Sequence, residues 1–345
     1  MSRTTRVQID SLIRQAAAEQ RCVVGTTRPV QRGLQYMCRQ GLMVNPYINL
    51  YCPAEPWQTM NGCERQLYIL RALQLTHGWT AAGESAVEAH GLPHPCSMHE
   101  GLITIASAHT SSNPYGGKRY STCRNAPATA MPVRGSRQPL RRIFVRGDEP
   151  VVVNGVRATS LPRTVVDAVM LGTFESSMEI INHVLAHGLT ESELRAYCAG
   201  RRIDHARIES VLTYANPLAE NGGESLVYAT IIRAGFAIPE LQCEFENFDH
   251  PDYPLRVDFL WRTDDGRMIV LEYDGLRKYQ DPTMTRHALQ ENITRQASRD
   301  QMLLAQHVTK IVHCFTEDVY QPERLIAKLD QAGVPRLPQP RALPF

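Results

Sequence analysis

Four acidic residues in the last third of the chain, Glu224, Asp258, Glu272 and Asp274, have the types and spacing for cation chemistry. Arg256-Val257-Asp258-Phe259-Leu260-Trp261 reads as a strand, Arg262 to Arg267 supplies turn residues, and Met268 to Gly275 returns as a second strand. Period-two alternation puts Glu272 and Asp274 on one face and Ile269, Leu271 and Tyr273 on the other. A hairpin of this length brings Asp258 beside Glu272 or Asp274, so three carboxylates share one patch of sheet. Acids are depleted in strands, and like charges within ~4–6 Å raise one another's pKa or demand a cation. A hard divalent ion, Mg2+ or Mn2+, answers that demand through carboxylate oxygens; it activates water and stabilises a phosphorane-like transition state. The competing reading has the acids on an edge strand, solvated or bridged to Arg256, Arg277 or Lys278. For Glu224, at the start of a helix, the competing role is a charge that complements the helix dipole.

The elements around these acids follow from periodicity. Glu224 opens a helix whose apolar side includes Val227, Ile231 and Ala234, with Gly235 at its end. Two helices are expected near the N-terminus, over residues 6–20 and over Pro29–Gln40, the second with Gly41 at its C-cap. Leu42 to Tyr51 alternates around Asn45-Pro46, which predicts a hairpin turning there. Helices followed by such a ribbon are the outline of a winged helix-turn-helix.

Further helices are expected over Cys63–Leu75 and Glu84–His90, with strands at Leu102–Ala106, Ile143–Val145 and Val151–Val153. Ser111 to Gln138 reads as an excursion whose charges, Lys118, Arg119, Arg124, Arg134 and Arg137, either touch phosphate or solvate a loop. Thr159 or Ser160 caps a helix with Pro162 in its first turn, and Arg163 and Asp167 form a structural pair one turn apart. His90 reads as a helix C-terminal histidine. Helices over Ser176–His187 and Glu191–Cys198 lead to a soft boundary near Asn216–Gly223.

Composition bounds the function classes. A chain of 345 residues implies two or three domains. Its 43% hydrophobic and 21% charged residues are those of a globular protein, and a net charge of +2 advertises no global field for nucleic acid. No run approaches the ~20 apolar residues that cross a bilayer, and the polar start resembles no signal peptide, so a cytoplasmic protein is expected. The nine cysteines are scattered without a Cys-x-x-Cys pair, which argues against a zinc ribbon and for reduced thiols. Phosphate-loop, nucleophile-elbow, His-Glu-x-x-His and dinucleotide fingerprints are missing from the sequence.

Glu224, Arg256-Val257-Asp258-Phe259 and Leu271-Glu272-Tyr273-Asp274-Gly275 together resemble the PD-(D/E)XK superfamily, in the branch related to very-short-patch-repair (Vsr) endonucleases. Arg299-Asp300, Leu303-Leu304 and Lys310 to Thr316 match the helix and strand that end that branch. The resemblance spans about Gly223 to Leu329. It implies a restriction-endonuclease-like domain in which Asp258 is the principal metal ligand, Glu272 the second, and Glu224 the helix acid that orients water or metal. Asp274 stands where the superfamily often has lysine, and Lys278 is the residue expected to replace that lysine.

Gly83-Glu84-Ser85-Ala86, His90-Gly91-Leu92-Pro93 and Ala158 to Asp167 resemble AbiEi-type antitoxins and regulators. The expected organisation is therefore α/β: a winged-helix DNA-binding domain over 1–60, an AbiEi-like α+β domain over 61–215, a Vsr-like nuclease domain over 216–332, and a tail over 333–345. The expected activity is metal-dependent hydrolysis of DNA phosphodiesters. The alternative is a non-catalytic DNA-binding regulator or antitoxin of a bacterial defence system, with a cognate toxin as protein partner and no membrane association.

Overall fold

The computed structural model describes residues 2–94, 102–107, 140–275, 286–339 and 341–345, and for residues 286–293 the helix alone. The excursion expected over Ser111–Gln138, with its five basic residues, lies outside the described residues, as do Arg277 and Lys278. The chain forms two compact units, Met1–Leu171 and Gly172–Phe345, so the boundary expected near Asn216–Gly223 falls inside the second. Among the described residues no helix is long and apolar enough to cross a membrane.

In the first unit, Ser2 caps α1 (Arg3–Ala18) and Thr27 caps α2 (Arg28–Arg39), each accepting a backbone N–H from three residues on. Between and after them lie β1 (Val23–Val24), β2 (Met43–Tyr47) and β3 (Leu50–Pro53), an antiparallel sheet in the order β1-β3-β2. Ile9, Ala16, Val30, Leu34, Met37 and Tyr51 join helices and sheet in one apolar cluster. The hairpin turns at Ile48-Asn49, with Asn49 at φ +59, and not at Asn45-Pro46 as the sequence predicts. Asn45 instead donates its side-chain amide to the carbonyls of Tyr47 (2.7 Å) and Leu50 (2.6 Å), at the place where the β2–β3 register slips. It binds the irregular strand and makes no turn.

The rest of the unit runs α3 (Ala54–Thr59), α4 (Gly62–His77), α5 (Gly83–His90), β4 (Ile103–Ser107), β5 (Leu140–Phe144), β6 (Val151–Val153), β7 (Val156–Ala158) and α6 (Leu161–Leu171). Strands β4 and β5 pair in parallel, β6 and β7 antiparallel, and Ala81 bridges to both Ile105 and Ala158. His90 ends α5 as expected, with Nε2 2.8 Å from the Thr159 carbonyl. The Arg163–Asp167 pair forms at 2.9 Å on α6 and is buried, where burial outweighs the guanidinium and raises the aspartate pKa.

The second unit opens with helices α7 (Phe174–Ala186), α8 (Glu191–Cys198) and α9 (His205–Tyr214). There follow α10 (Gly222–Arg233), β8 (Glu240–Phe245), β9 (Leu255–Arg262), β10 (Met268–Asp274), α11 (Arg286–Ala305), β11 (Val308–Phe315), α12 (Thr316–Tyr320) and α13 (Pro322–Ala332). The sheet order is β11-β10-β9-β8, antiparallel from β8 to β10 and parallel between β10 and β11. A parallel pair needs a crossover, which α11 provides. Leu303 of α11 joins Leu255, Val257, Leu260 and Val270 in an apolar cluster, and Tyr228 of α10 stacks on Phe259. The alternation expected in β10 holds: Glu272 meets α11 while Tyr273 meets the start of α10.

That last contact depends on a glycine. A Cβ at Gly223 would overlap the Tyr273 ring, so only hydrogen lets α10 approach the sheet closely enough to deliver Glu224. Helix propensity alone favours alanine over glycine by ~1 kcal/mol. The overlap reverses the sign: Gly223→Ala is expected to destabilise by about 1–3 kcal/mol. In a Tyr273→Ala background the same change should cost less, as denaturant titration of the double-mutant cycle will show. Equal costs in both backgrounds would mean that the ring is not what the glycine accommodates.

Candidate functional site

Asp258 lies at a gap in both of its ladders. β9 pairs with β10 through Leu271↔Phe259, and one further step of that register sets Asp258 across from Glu272. On the other side Leu241↔Phe259 and Cys243↔Val257 are paired, and Gln242, across from Asp258, is skipped. Gln242 adopts φ +55, unusual for a residue with a side chain, and sends Nε2 to Glu224 Oε2 at 3.0 Å. Asp258 Oδ2 in turn accepts the Tyr273 backbone N–H at 2.7 Å. A side chain thus takes over a ladder bond at the open end of the β9–β10 pair.

Glu224 stands in the first turn of α10, 6% exposed. The Glu220 N–H donates to its Oε2 (2.8 Å), the Asn221 amide donates to Oε1, and Asn221 Oδ1 accepts the Glu224 N–H as N-cap. The capping role and the cluster role therefore coincide in one residue. Burial, and next the charge of Asp258, push the Glu224 carboxyl up to about 7. Glu272 is also pushed up to about 7, by burial first; Arg299 opposes the rise, and Asp258 and Asp274 reinforce it. Asp258 is the neighbour that both glutamates share.

The other side of the cluster carries its own cations. Arg299 of α11 holds Glu272 Oε1 at 2.7 Å and also donates to the Arg256 carbonyl. Asp274, 6% exposed, accepts from Gln296 (3.2 Å) and lies 3.1 Å from His313 Nδ1, while His313 Nε2 lies 3.1 Å from Asp300. The hydrogen bond to Asp274 and the charge of Asp300 raise the His313 pKa against its burial. Arg256 pairs with Glu220 at 2.8 Å and not with the cluster acids.

Glu224, Asp258, Glu272 and Asp274 are thus brought to one end of the sheet, but not to one point. Among the described residues the group of candidate ligand atoms all within 4.8 Å of one another is Cys63, Glu88 and His94, in the other unit. The acids of the second unit do not meet that spacing. Lys278 lies outside the described residues. Gln242, Gln296 and the cationic role of His313 were not singled out by sequence reasoning; the sole signal was the Arg299-Asp300 and His313 run noted for its resemblance.

A second feature lies on the first unit. Arg28, Arg32, Gln35, Tyr36 and Arg39 are exposed on one side of α2, opposite the buried Val30, Leu34 and Met37. Comparison with known protein families, curated proteins and solved structures finds no match to this chain.

The raised carboxyls have a consequence for stability. An unfolded glutamate loses its proton near pH ~4.3, but folded Glu224 and Glu272 keep theirs to about 7, so the folded state binds more protons in between. Stability falls as pH rises through that window. His313, with its raised pKa, acts in the same direction, its contribution being lost as pH rises through the folded value. Glu224→Gln is expected to gain on the wild type by roughly 2–3 kcal/mol between pH 5 and pH 8. Any pH-independent cost of altered hydrogen bonds cancels in that difference. Parallel stability–pH curves from thermal melts would overturn the assignment of a protonated buried Glu224.

Proposed function

We propose that the second unit hydrolyses DNA phosphodiesters with a divalent cation, on a PD-(D/E)XK, Vsr-like domain, and that a winged helix in the first unit binds the duplex. The supporting observation is Asp258 at the ladder gap, with Glu224 and Glu272 on either side and both carboxyls raised to about 7. This donor set is all carboxylate oxygen, the chemistry that Mg2+ or Mn2+ takes, and its oxygens would have to draw together from their present spacing to share one ion. Asp258 and Glu272, with Glu224, would hold the ion. It would supply an activated water and take up charge on the phosphate.

The chain's own groups do the rest. Glu224, with a proton affinity near neutrality, holds or accepts a proton of the attacking water. Arg299, 2.7 Å from Glu272, is the guanidinium placed to meet a phosphate oxygen. Where the superfamily pattern often has lysine this chain has Asp274, and the His313 imidazole of β11 stands beside it, bringing positive charge to that place when protonated. The basic face of α2 suits a helix laid in a major groove.

One observation favours a second reading, a DNA-binding regulator without turnover. Arg299 and His313 already partner Glu272 and Asp274, so part of the cluster is tolerable without an ion. Plasmid cleavage with Mg2+ or Mn2+ decides between them. Asp258→Ala is expected to lower cleavage at least ~10²-fold, with DNA affinity kept and a stability cost of about 1–3 kcal/mol for the Tyr273 N–H it leaves unmet. Cleavage that persists in excess chelator, or in Asp258→Ala, removes the nuclease reading; metal-independent DNA binding without cleavage leaves the regulator. Arg32→Ala should weaken DNA binding and reduce the log–log salt slope by ~1. An unchanged slope would take α2 off the DNA.

A further inference from the structure

The first unit gathers a thiol, a carboxylate and an imidazole at one point, none of them used by the reading above. Cys63 lies in the first turn of α4, just after its Asn61 cap. Glu88 lies on α5, and His94 follows the left-handed Gly91 and Pro93 that end that helix. His94 Nε2 stands 3.5 Å from Cys63 Sγ and 3.2 Å from Glu88 Oε2, and the three ligand atoms lie within 4.8 Å of one another. The His94 side chain is 5% exposed and that of Glu88 10%.

The orientation of the imidazole is fixed from behind. His94 Nδ1 lies 2.6 Å from the Leu92 carbonyl, which can only accept, so Nδ1 carries hydrogen. With Nδ1 so occupied, Nε2 is the nitrogen that faces the sulfur and the carboxylate, and it would offer its lone pair to an ion there. A backbone carbonyl on the far nitrogen is the usual support of a metal-bound histidine.

The spacing fits as well. Bond lengths of ~2.3 Å to sulfur, ~2.0 Å to nitrogen and ~2.1 Å to oxygen at tetrahedral angles give an S–N edge of about 3.5 Å and an N–O edge of about 3.4 Å. The observed 3.5 and 3.2 Å lie close to both. A histidine–glutamate ion pair and a thiol–imidazole hydrogen bond account for the two distances singly; one ion accounts for both converging on the same nitrogen. The N-terminal end of α4 also suits a negative sulfur.

We propose that Cys63, Glu88 and His94 bind one thiophilic divalent ion, zinc, whose fourth position is left to water or a further donor. Thiolate and imidazole with one carboxylate favour zinc over magnesium. On binding, the Cys63 S–H bond breaks and its proton goes to solvent as the zinc–sulfur bond forms; nothing is oxidised or reduced. The ion ties the start of α4 to α5 and to the segment after Gly91.

The test uses the full-length chain, stripped with chelator and reloaded with Zn2+ or Co2+ alone. The expected result is one zinc per chain that survives excess Mg2+, and a cobalt form with a thiolate-to-cobalt charge-transfer band. Cys63→Ser should abolish that band, and both Cys63→Ser and His94→Ala should weaken zinc at least ~10–100-fold. Asp258→Ala should retain it in full, which separates this site from the acidic cluster. Wild-type protein that takes up neither metal, a cobalt spectrum without the sulfur band, or undiminished zinc in Cys63→Ser would each overturn the proposal and leave a His94–Glu88 ion pair only.

Discussion

The carboxylate of Asp258 accepts a backbone N–H that an undisturbed ladder would give to a carbonyl. A strand pair can open at its end only if the polar groups it exposes find partners, because an unmet buried amide costs as much as a lost hydrogen bond. Asp258 supplies one partner through Tyr273, and Gln242 turns out of its strand on the other side to reach Glu224. Opening the ladder is what gives side chains from β8, β9, β10 and α10 a common neighbourhood. The same bond fixes the Asp258 oxygens against two glutamates, and their raised pKa values follow from it together with burial.

Helices α10 and α11 are held to that opening by different means. Gly223 lets α10 come down on Tyr273, so Glu224 arrives through the absence of a side chain. Arg299 arrives through a long one, bridging Glu272 and the Arg256 carbonyl. Farther along β11, Lys328 of α13 donates to the His313 carbonyl (2.9 Å) and to Asp318 (2.6 Å), which braces the strand that carries His313. The carboxylates are therefore held in sequence: Glu224 by the Gln242 amide, Asp258 by the Tyr273 N–H, Glu272 by Arg299, and Asp274 by His313 and, through it, Asp300.

Much of this was legible in the chain. The acids of β9 and β10 could be assigned to a hairpin because alternation and the Thr263-to-Gly266 turn fix both strands, and most helices were visible from caps and apolar spacing. The Asn45-Pro46 turn was misplaced because turn chemistry is local, whereas Asn45 is used for two carbonyl bonds across a slipped register. The short β1 and β7 gave too few residues for any period to show. The second unit begins at Gly172 because α7 packs on α10, with Asn182 donating to Ser225, a contact that no composition shift announces. Gln242 could not be found either: its role rests on a backbone angle that sequence does not display.

Cysteine spacing misleads for a related reason. A close Cys pair signals metal when one loop supplies two donors, whereas Cys63, Glu88 and His94 come from a helix start, a second helix and the chain beyond it. The two candidate centres of the protein differ in kind. One is all oxygen at a broken sheet edge, with pKa values near neutrality and protein cations close by; the other is sulfur, nitrogen and a single carboxylate, nearly closed to water. Hard and soft donor sets prefer different ions. An oxygen cluster that shares its charge with arginine and histidine suits an ion that comes and goes with substrate, while donors clamped by two helices and a backbone carbonyl suit one that stays with the fold.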